Sequence, residues 1–587
     1  MATNNSNNVE IQRVLEYSSF FIGTPIIDVD TILKQYDRST LIRMAFLLSC
    51  HYGNLSWPDD HYTLFSEESR EHIKELNQLF VNFYRSSGIP EGTTITVSSF
   101  RTALELWRHI FAIRPDEYKN TIKKEDAEYE LFKVILSLNE KIVDYSHSDV
   151  EYKLDELLFL NLFITNDTNN FNFQSALQPQ LYYVYHLAQV CDENEVLRDA
   201  TNILFEKWGI SSWQEYAATL MYVANETERY RVEHKSGIPI LNPLRLKDGD
   251  ETGLFSSTLI DALSIDENEY IPFDEPGTLS FLQNIDYRVF RSRPFVRLRD
   301  KSGYIVINVQ LLCERIFNSL YFDFKPLIDG RTGSVGFFDY NKEFIEKNLF
   351  RKTLFNCIPS HNYTFPKRYA KVENESKNEP DFYCRWKDNL MIFECKAIKM
   401  NGSIRDDGDY SRFLDELHEK IVKKTRQLDS SRRPIVGDPE PMGIGQLIHH
   451  IKAIHEDDFR WDAEIPDNVT YYPIMVFEDV RFLQPGLLSI INRWFKEELL
   501  NKGGYDILEG CMPVMAISIN TLYLYDTFIH RIGLSRIIDE FVEHNSHKDK
   551  DGNITLLENA DFDGYLRTKP FHKNNDVGKW IICQARR

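Results

Sequence analysis

The chain has 587 residues, 42% hydrophobic and 27% charged, with 68 Lys+Arg against 89 Asp+Glu and a net charge of −21. These values exclude collagen-like, disulfide-scaffold and wholly disordered classes, and the length allows more than one buried core. The acidic excess argues against coating nucleic acid by bulk charge and leaves a local basic groove as the electrostatic route to it.

Residues 1–8, MATNNSNN, form a polar, Asn-rich tail without the charge and apolar stretch of a secretory signal. No apolar run approaches the ~20 residues that span a bilayer; the best, 157–163, is interrupted by Asn161. No membrane association is therefore expected. The cysteines are scattered with no C-x-x-C spacing, which argues against a zinc cluster and fits free thiols in a reducing cytoplasm.

From about 40 to 224 the apolar spacing is helical. Ser66 reads as the cap of a helix presenting Ile73, Leu76, Leu79, Phe80, Phe83 and Tyr84 on one stripe, with Gly88 as its stop. Ser98 or Ser99 caps the next, through Leu104, Trp107 and Ile110. Further helices are predicted over 126–142, 150–163, 180–190 and 212–223. Near Glu233 the pattern changes to a connector punctuated by Pro239, Pro243, Gly249, Gly253 and Pro276. A hairpin over 295–308 and a helix over 309–321 follow. From 330 to about 541 the pattern is mixed α/β, and the remainder is polar and rich in turns.

Chemistry concentrates between Glu379 and Lys396. Residues 382–386 read as a strand, Lys387-Asp388-Asn389 as a turn, and 390–395 as a second, apolar strand. Folding this hairpin brings Asp381 to the end that carries Glu394 and Lys396, which share a face because they are two apart. Two carboxylates can hold Mg2+, with Mn2+ as a substitute, and the Cys395 carbonyl offers a backbone ligand. Such a cation polarises a phosphodiester and acidifies a bound water. Lys396 can orient that water or offset charge on the pentavalent phosphorus.

Pro380-Asp381 followed by Glu394-Cys395-Lys396 resembles the signature of the PD-(D/E)XK, or restriction-endonuclease-like, nuclease superfamily. The resemblance covers 338–477. It implies a mixed sheet flanked by helices, in the order helix, three strands, helix, strand. These map onto a helix at 338–350, a strand near Tyr369, the hairpin, a helix at 444–454 and a strand at 472–477. It also implies an acidic residue on the first helix, for which Glu343 is preferred over Glu346, and a polar residue on the later helix, for which Gln446 fits. The implied activity is metal-dependent endonucleolytic hydrolysis, with double-stranded DNA as the preferred substrate. RNA cleavage at the same site and a non-enzymatic scaffold are the alternatives. Prokaryotic members with large helical extensions serve in restriction or antiphage defence.

Two arginine- and lysine-rich runs offer a phosphate track. One is Arg288, Arg291, Arg293, Arg297 and Arg299; the other is Lys420, Lys423, Lys424, Arg426, Arg432 and Arg433. A solvated charged face is the commoner explanation of either run. Residues 547–558 match part of an EF-hand loop, but His547 stands where Asp is needed, and Asp551-Gly552 reads better as a turn. His449 and His450 occupy adjacent, diverging helix positions and are not expected to share a metal. No phosphate-binding P-loop and no G-x-S-x-G elbow is present.

The expected organisation is a multidomain chain. Residues 1–232 form a mainly helical region for recognition, oligomerisation or a partner protein. A connector with a hairpin and helix spans 233–329, the α/β nuclease core 330–545, and a polar segment 546–587.

Overall fold

The computed structural model describes residues 12–50, 55–56, 65–66, 69–88, 94–143, 152–165, 172–233, 241, 255–273, 287–299, 303–332, 340–359, 363–365, 379–400, 410–424, 427–428, 434–435, 439–548, 553–570 and 576–584. The fold is mixed α/β, mostly helical, with several small sheets. Among the described residues no helix is long and apolar enough to cross a membrane. The polar tail at 1–8, most of the punctuated connector and the strand expected near Tyr369 lie outside the described residues.

The first part is not purely helical. Strands β1 (Gln12–Val14), β2 (Leu55–Ser56) and β3 (Thr94–Ser98) form a sheet in the order β1-β3-β2, beside helices Arg38–Cys50, Arg70–Ser87, Phe100–Ala112 and Lys124–Val143. Ser99 caps the third of these helices. Its hydroxyl accepts from the Thr102 N–H at 3.1 Å, and Thr102 Oγ1 accepts from the Ser99 N–H at 3.0 Å. Gly88, with φ of 60°, ends Arg70–Ser87. Ser66 is not the cap of that helix; Ser69 precedes its first residue, and the Ser66 N–H donates to Glu128 at 2.7 Å.

Among the described residues the buried side chains form two cores, and a three-stranded sheet is the wall between them. Strand β4 (Ser264–Asp266) runs parallel to β5 (Phe295–Arg297), which pairs antiparallel with β6 (Tyr304–Val306). Side chains alternate across a strand. Phe295, Tyr304 and Val306 join the core containing the C-terminal half, whereas Ile265, Val296 and Ile305 join the core built from Leu15 to Leu138. Helix α1 (Phe173–Glu193), although early in the chain, belongs to the first of these cores. Its Tyr182 stacks on Tyr523 at 4.1 Å and meets Thr353 Oγ1 at 3.2 Å, and the Tyr183 hydroxyl donates to Asn520. Helix α2 (Val309–Ile316) follows the wall, with Asn308 Oδ1 accepting from Gln310 and Leu311 N–H groups at 2.8 and 3.2 Å.

The segment of interest starts with α3 (Tyr340–Phe350), wound with the wider π pitch, which runs on into α4 (Arg351–Cys357). Strands β7 (Phe382–Trp386) and β8 (Asn389–Lys396) form the expected antiparallel hairpin. Lys387, at φ 54°, makes its turn. Helices α5 (Tyr410–Ile421) and α6 (Gly443–His455) precede β9 (Thr470–Phe477) and β10 (Met515–Ser518). The sheet order is β10-β9-β8-β7, with β8, β9 and β10 parallel. A bridge from Thr364 to Arg385 continues it antiparallel beyond β7. The Phe355, Phe382 and Phe393 rings place α4 against one face; α6 lies against the other, where Gln446 reaches Lys396.

Two outcomes follow from this packing. Ile305→Ala, costing ~2–5 kcal/mol, is expected to raise amide exchange across 41–46 and leave β8 protected, while Val306→Ala does the reverse; hydrogen-exchange mass spectrometry reads both. His186, buried on α1, has its pKa lowered to about 4 by burial and by nearby Lys352. It is neutral when folded and protonates near 6.5 when unfolded, so its contribution is intact above 6.5 and declines as pH falls. Urea melts should show ~2 kcal/mol of this loss between pH 6.5 and 5, absent in His186→Gln.

Candidate active site

The hairpin register brings the motif together. Phe382 pairs with Phe393, so extending the register by one residue sets Asp381 opposite Glu394. The Cys395 N–H donates to Asp381 Oδ2 at 2.7 Å. Arg351 on α4 holds the same turn, donating from Nε to the Asp381 carbonyl at 3.2 Å and lying 3.7 Å from Glu379. Asp381 and Glu394 lie close enough to act on each other's ionisation. Glu394 and Lys396 project from one face of β8 and Cys395 from the other, so only the Cys395 main chain is available at the acidic side.

Lys396 is 9% exposed and Glu394 1%. Lys396 Nζ donates to Gln446 Oε1 at 2.8 Å and to Glu394 Oε2 at 3.4 Å. Burial opposes the lysine's charge, but Glu394, Asp381 and Glu346 outweigh it and hold its pKa above the usual range. Burial, then the Glu394 charge, push the Asp381 carboxyl up to about 7. Glu394 is raised as well, by burial, against the pull of Lys396. Three ionisable groups are thus crowded where water is scarce, with more acid than base.

Two features suit a cation. Glu394 Oε1 is buried with no hydrogen-bond partner, and Asp381, raised by burial first and by the Glu394 charge second, would have its ionised form favoured by a positive ion. Among the described residues, however, no group of three or more His, Cys, Asp or Glu side chains has metal-holding geometry. A bound ion would rest on Asp381, Glu394, the Cys395 carbonyl and water.

Asp381, Glu394, Lys396 and Gln446 therefore converge. The Glu343 side chain lies outside the described residues, whereas the charge of Glu346 acts on Glu394, Cys395 and Lys396. At 3.6 residues per turn the two glutamates flank the apolar face about equally, and π winding changes their angular positions. Sequence reasoning missed three contributors. Arg351 had no local signal. His450, 3% exposed, places Nε2 3.3 Å from Glu394 Oε1 and is kept neutral, burial lowering its pKa to about 4; the signal was its place four residues after Gln446. Gly443 lets α6 approach, since a Cβ there would sit 2.8 Å from Met475 Cε and 3.0 Å from both Lys396 Cε and the Ile421 carbonyl.

The arginine run at 288–299 is mostly committed to acids. Arg291 pairs with Glu314, Arg293 with Glu269 at 2.8 Å, and Arg297 with Asp261 and Asp266 at 3.4 and 3.1 Å. Arg288 lies over the Phe322 ring at 4.8 Å. In the second run, Lys420 pairs with Glu416 at 3.2 Å and Lys423 with Glu498 at 2.9 Å; Arg426, Arg432 and Arg433 lie outside the described residues. A groove of about 660 Å3 lies between α5 and the exit of β8, where Ile398 and Met442 line it beside Arg412, Lys424, Asp415 and Glu419. Its mixed charge is not a bare phosphate track. The EF-hand-like stretch is an antiparallel hairpin, Ser546–Lys548 with Ile554–Leu556; its tip, 549–552, lies outside the described residues. Comparison of the chain with family models, curated proteins and solved structures returns no match.

Gly443→Ala is expected to displace Lys396 or α6 and to cost ~1–3 kcal/mol in thermal or urea unfolding. Gly445→Ala, whose Cβ would come within 2.4 Å of the Val422 carbonyl, should cost more because backbone has to move.

Proposed function

We propose that the protein is a metal-dependent nuclease of the PD-(D/E)XK kind, hydrolysing phosphodiester bonds, with DNA as the preferred substrate. The observation that carries the reading is the convergence of Asp381, Glu394, Lys396 and Gln446 at one end of the β7–β8 hairpin. The order of elements supports it: a helix, the bridge at Thr364, the hairpin, α6 and a strand parallel to β8. Helix α5 is an addition to the pattern expected from the sequence.

Asp381 and Glu394, with the Cys395 carbonyl, would hold Mg2+ or Mn2+, which supplies an acidified water and charge neutralisation at the phosphate. Lys396, kept as an ammonium, faces the same pocket of charge and offsets negative charge on the phosphate oxygens during attack. Gln446 fixes the direction of that ammonium by accepting a hydrogen bond from it at Oε1. Arg351 keeps Asp381 in register through its carbonyl. Glu346 is the preferred helix carboxylate, adding negative potential around the site.

A net charge of −21 disfavours indiscriminate binding to DNA. The paired arginines at 291, 293 and 297 do not restore it. Target engagement in this reading falls to the large N-terminal part, through recognition, self-association or a partner protein, as in restriction or antiphage defence.

Supercoiled plasmid with Mg2+ or Mn2+ should be nicked or linearised, and EDTA should stop it. Asp381→Ala and Lys396→Ala should each slow the reaction by ~10²-fold or more, and Gln446→Ala by less, with circular dichroism unchanged. Equal cutting by wild type and Asp381→Ala rejects the site; cutting of RNA but not plasmid moves the substrate to RNA.

A further inference from the structure

We propose that His450 is a positioning residue of this site: its Nε2–H donates to Glu394 Oε1 and fixes the angle at which that carboxylate is offered. The inference rests on the nuclease reading and names a residue that the motif does not contain.

Glu394 is almost wholly removed from water, and a buried carboxylate needs a partner for each oxygen. Oε2 faces Lys396 Nζ at 3.4 Å. Oε1 has no hydrogen bond among the described contacts, yet His450 Nε2 stands 3.3 Å away. A small rotation of either side chain closes that contact. A neutral imidazole carries one N–H. With the proton on Nε2 the ring donates to Oε1; with it on Nδ1, two lone pairs would face each other in a dry site. The carboxylate therefore selects the Nε2–H form.

The choice of side chain has a chemical reason. An ammonium or guanidinium at this place would compete with a divalent cation for Glu394. A neutral donor orients the carboxylate and leaves its charge available. Gln446 and His450 lie four apart on α6 and share a face. One helix thus sets both Lys396 and Glu394, and the glycine at 443 sets how closely it comes. His449, next in sequence, is exposed and serves as an internal control.

The test is calorimetric titration of Mn2+ into wild type, His450→Leu, His450→Gln, His449→Leu and Asp381→Ala, with the metal dependence of plasmid nicking measured in parallel. His450→Leu should weaken Mn2+ binding 10–100-fold, the range for losing a group that orients a ligand. Its nicking rate should recover towards wild type at saturating Mn2+. His450→Gln, whose amide can donate, should restore most of the affinity, and His449→Leu should bind as wild type does. If His450→Leu unfolds, His450→Asn, too short to reach Glu394, replaces it. Wild-type affinity in His450→Leu, or equal losses in the Leu and Gln variants, overturns the positioning role. Mn2+ binding unaffected by Asp381→Ala overturns the underlying cation reading instead.

Discussion

A lysine ammonium nine-tenths buried at the end of a strand is the constraint around which the C-terminal half is arranged. Leaving such a charge unpaired would cost several kcal/mol. Its compensation comes from three separate parts of the chain: Glu394 two residues back, Asp381 across the hairpin and Gln446 on a later helix. Each source imposes a geometric demand. The hairpin must keep its register, β9 must pair along the full length of β8, and α6 must approach close enough to exclude a side chain at Gly443.

Those demands conflict with electrostatics unless something else is added. When both are ionised Asp381 and Glu394 repel, and the single ammonium beside them leaves an excess of negative charge in a dry place. Natural interiors avoid such arrangements unless they serve a purpose, and strained carboxylate pairs concentrate where chemistry is done. The same crowding explains the neighbours. His450 is neutral, Arg351 contributes to the Asp381 main chain through Nε, and the Cys395 thiol is turned to the opposite face with its pKa raised by burial.

The legible and illegible parts of this chain divide by the range of the interactions. The hairpin at 382–396 could be read because strand alternation and a short turn are local, and they carry Asp381, Glu394 and Lys396 with them; the turn itself is two residues, since Asn389 already pairs with Trp386. Gln446 came from the superfamily resemblance, which implies a polar residue on the helix after the motif. On regular helical pitch Glu343 and Glu346 flank the apolar face about equally, and the π winding of α3 departs from that pitch. The arginines at 291, 293 and 297 looked like an open basic track because their acid partners, Glu314, Glu269, Asp261 and Asp266, are brought to them by the fold. Strands β1 to β3 escaped notice because they are two to five residues long and lie among strong helical patterns. Core membership was hidden because it depends on distant contacts: α1 reads as one more N-terminal helix, and its contacts with Thr353, Asn520 and Tyr523 show where it belongs.

The wall formed by β4, β5 and β6 sets where this molecule can be divided. Its two faces belong to different cores, so neither half owns it. Cutting the chain at the visible change of composition near Glu233 would leave Val296 and Ile305 as a bare apolar surface on one fragment, and would take α1 away from Thr353 and Tyr523 on the other. Exposed sheet faces of that kind drive aggregation. The natural unit for expression, for swapping with a relative or for fusion to another protein is therefore one that keeps both cores and the wall between them together, whatever boundary the amino-acid composition suggests.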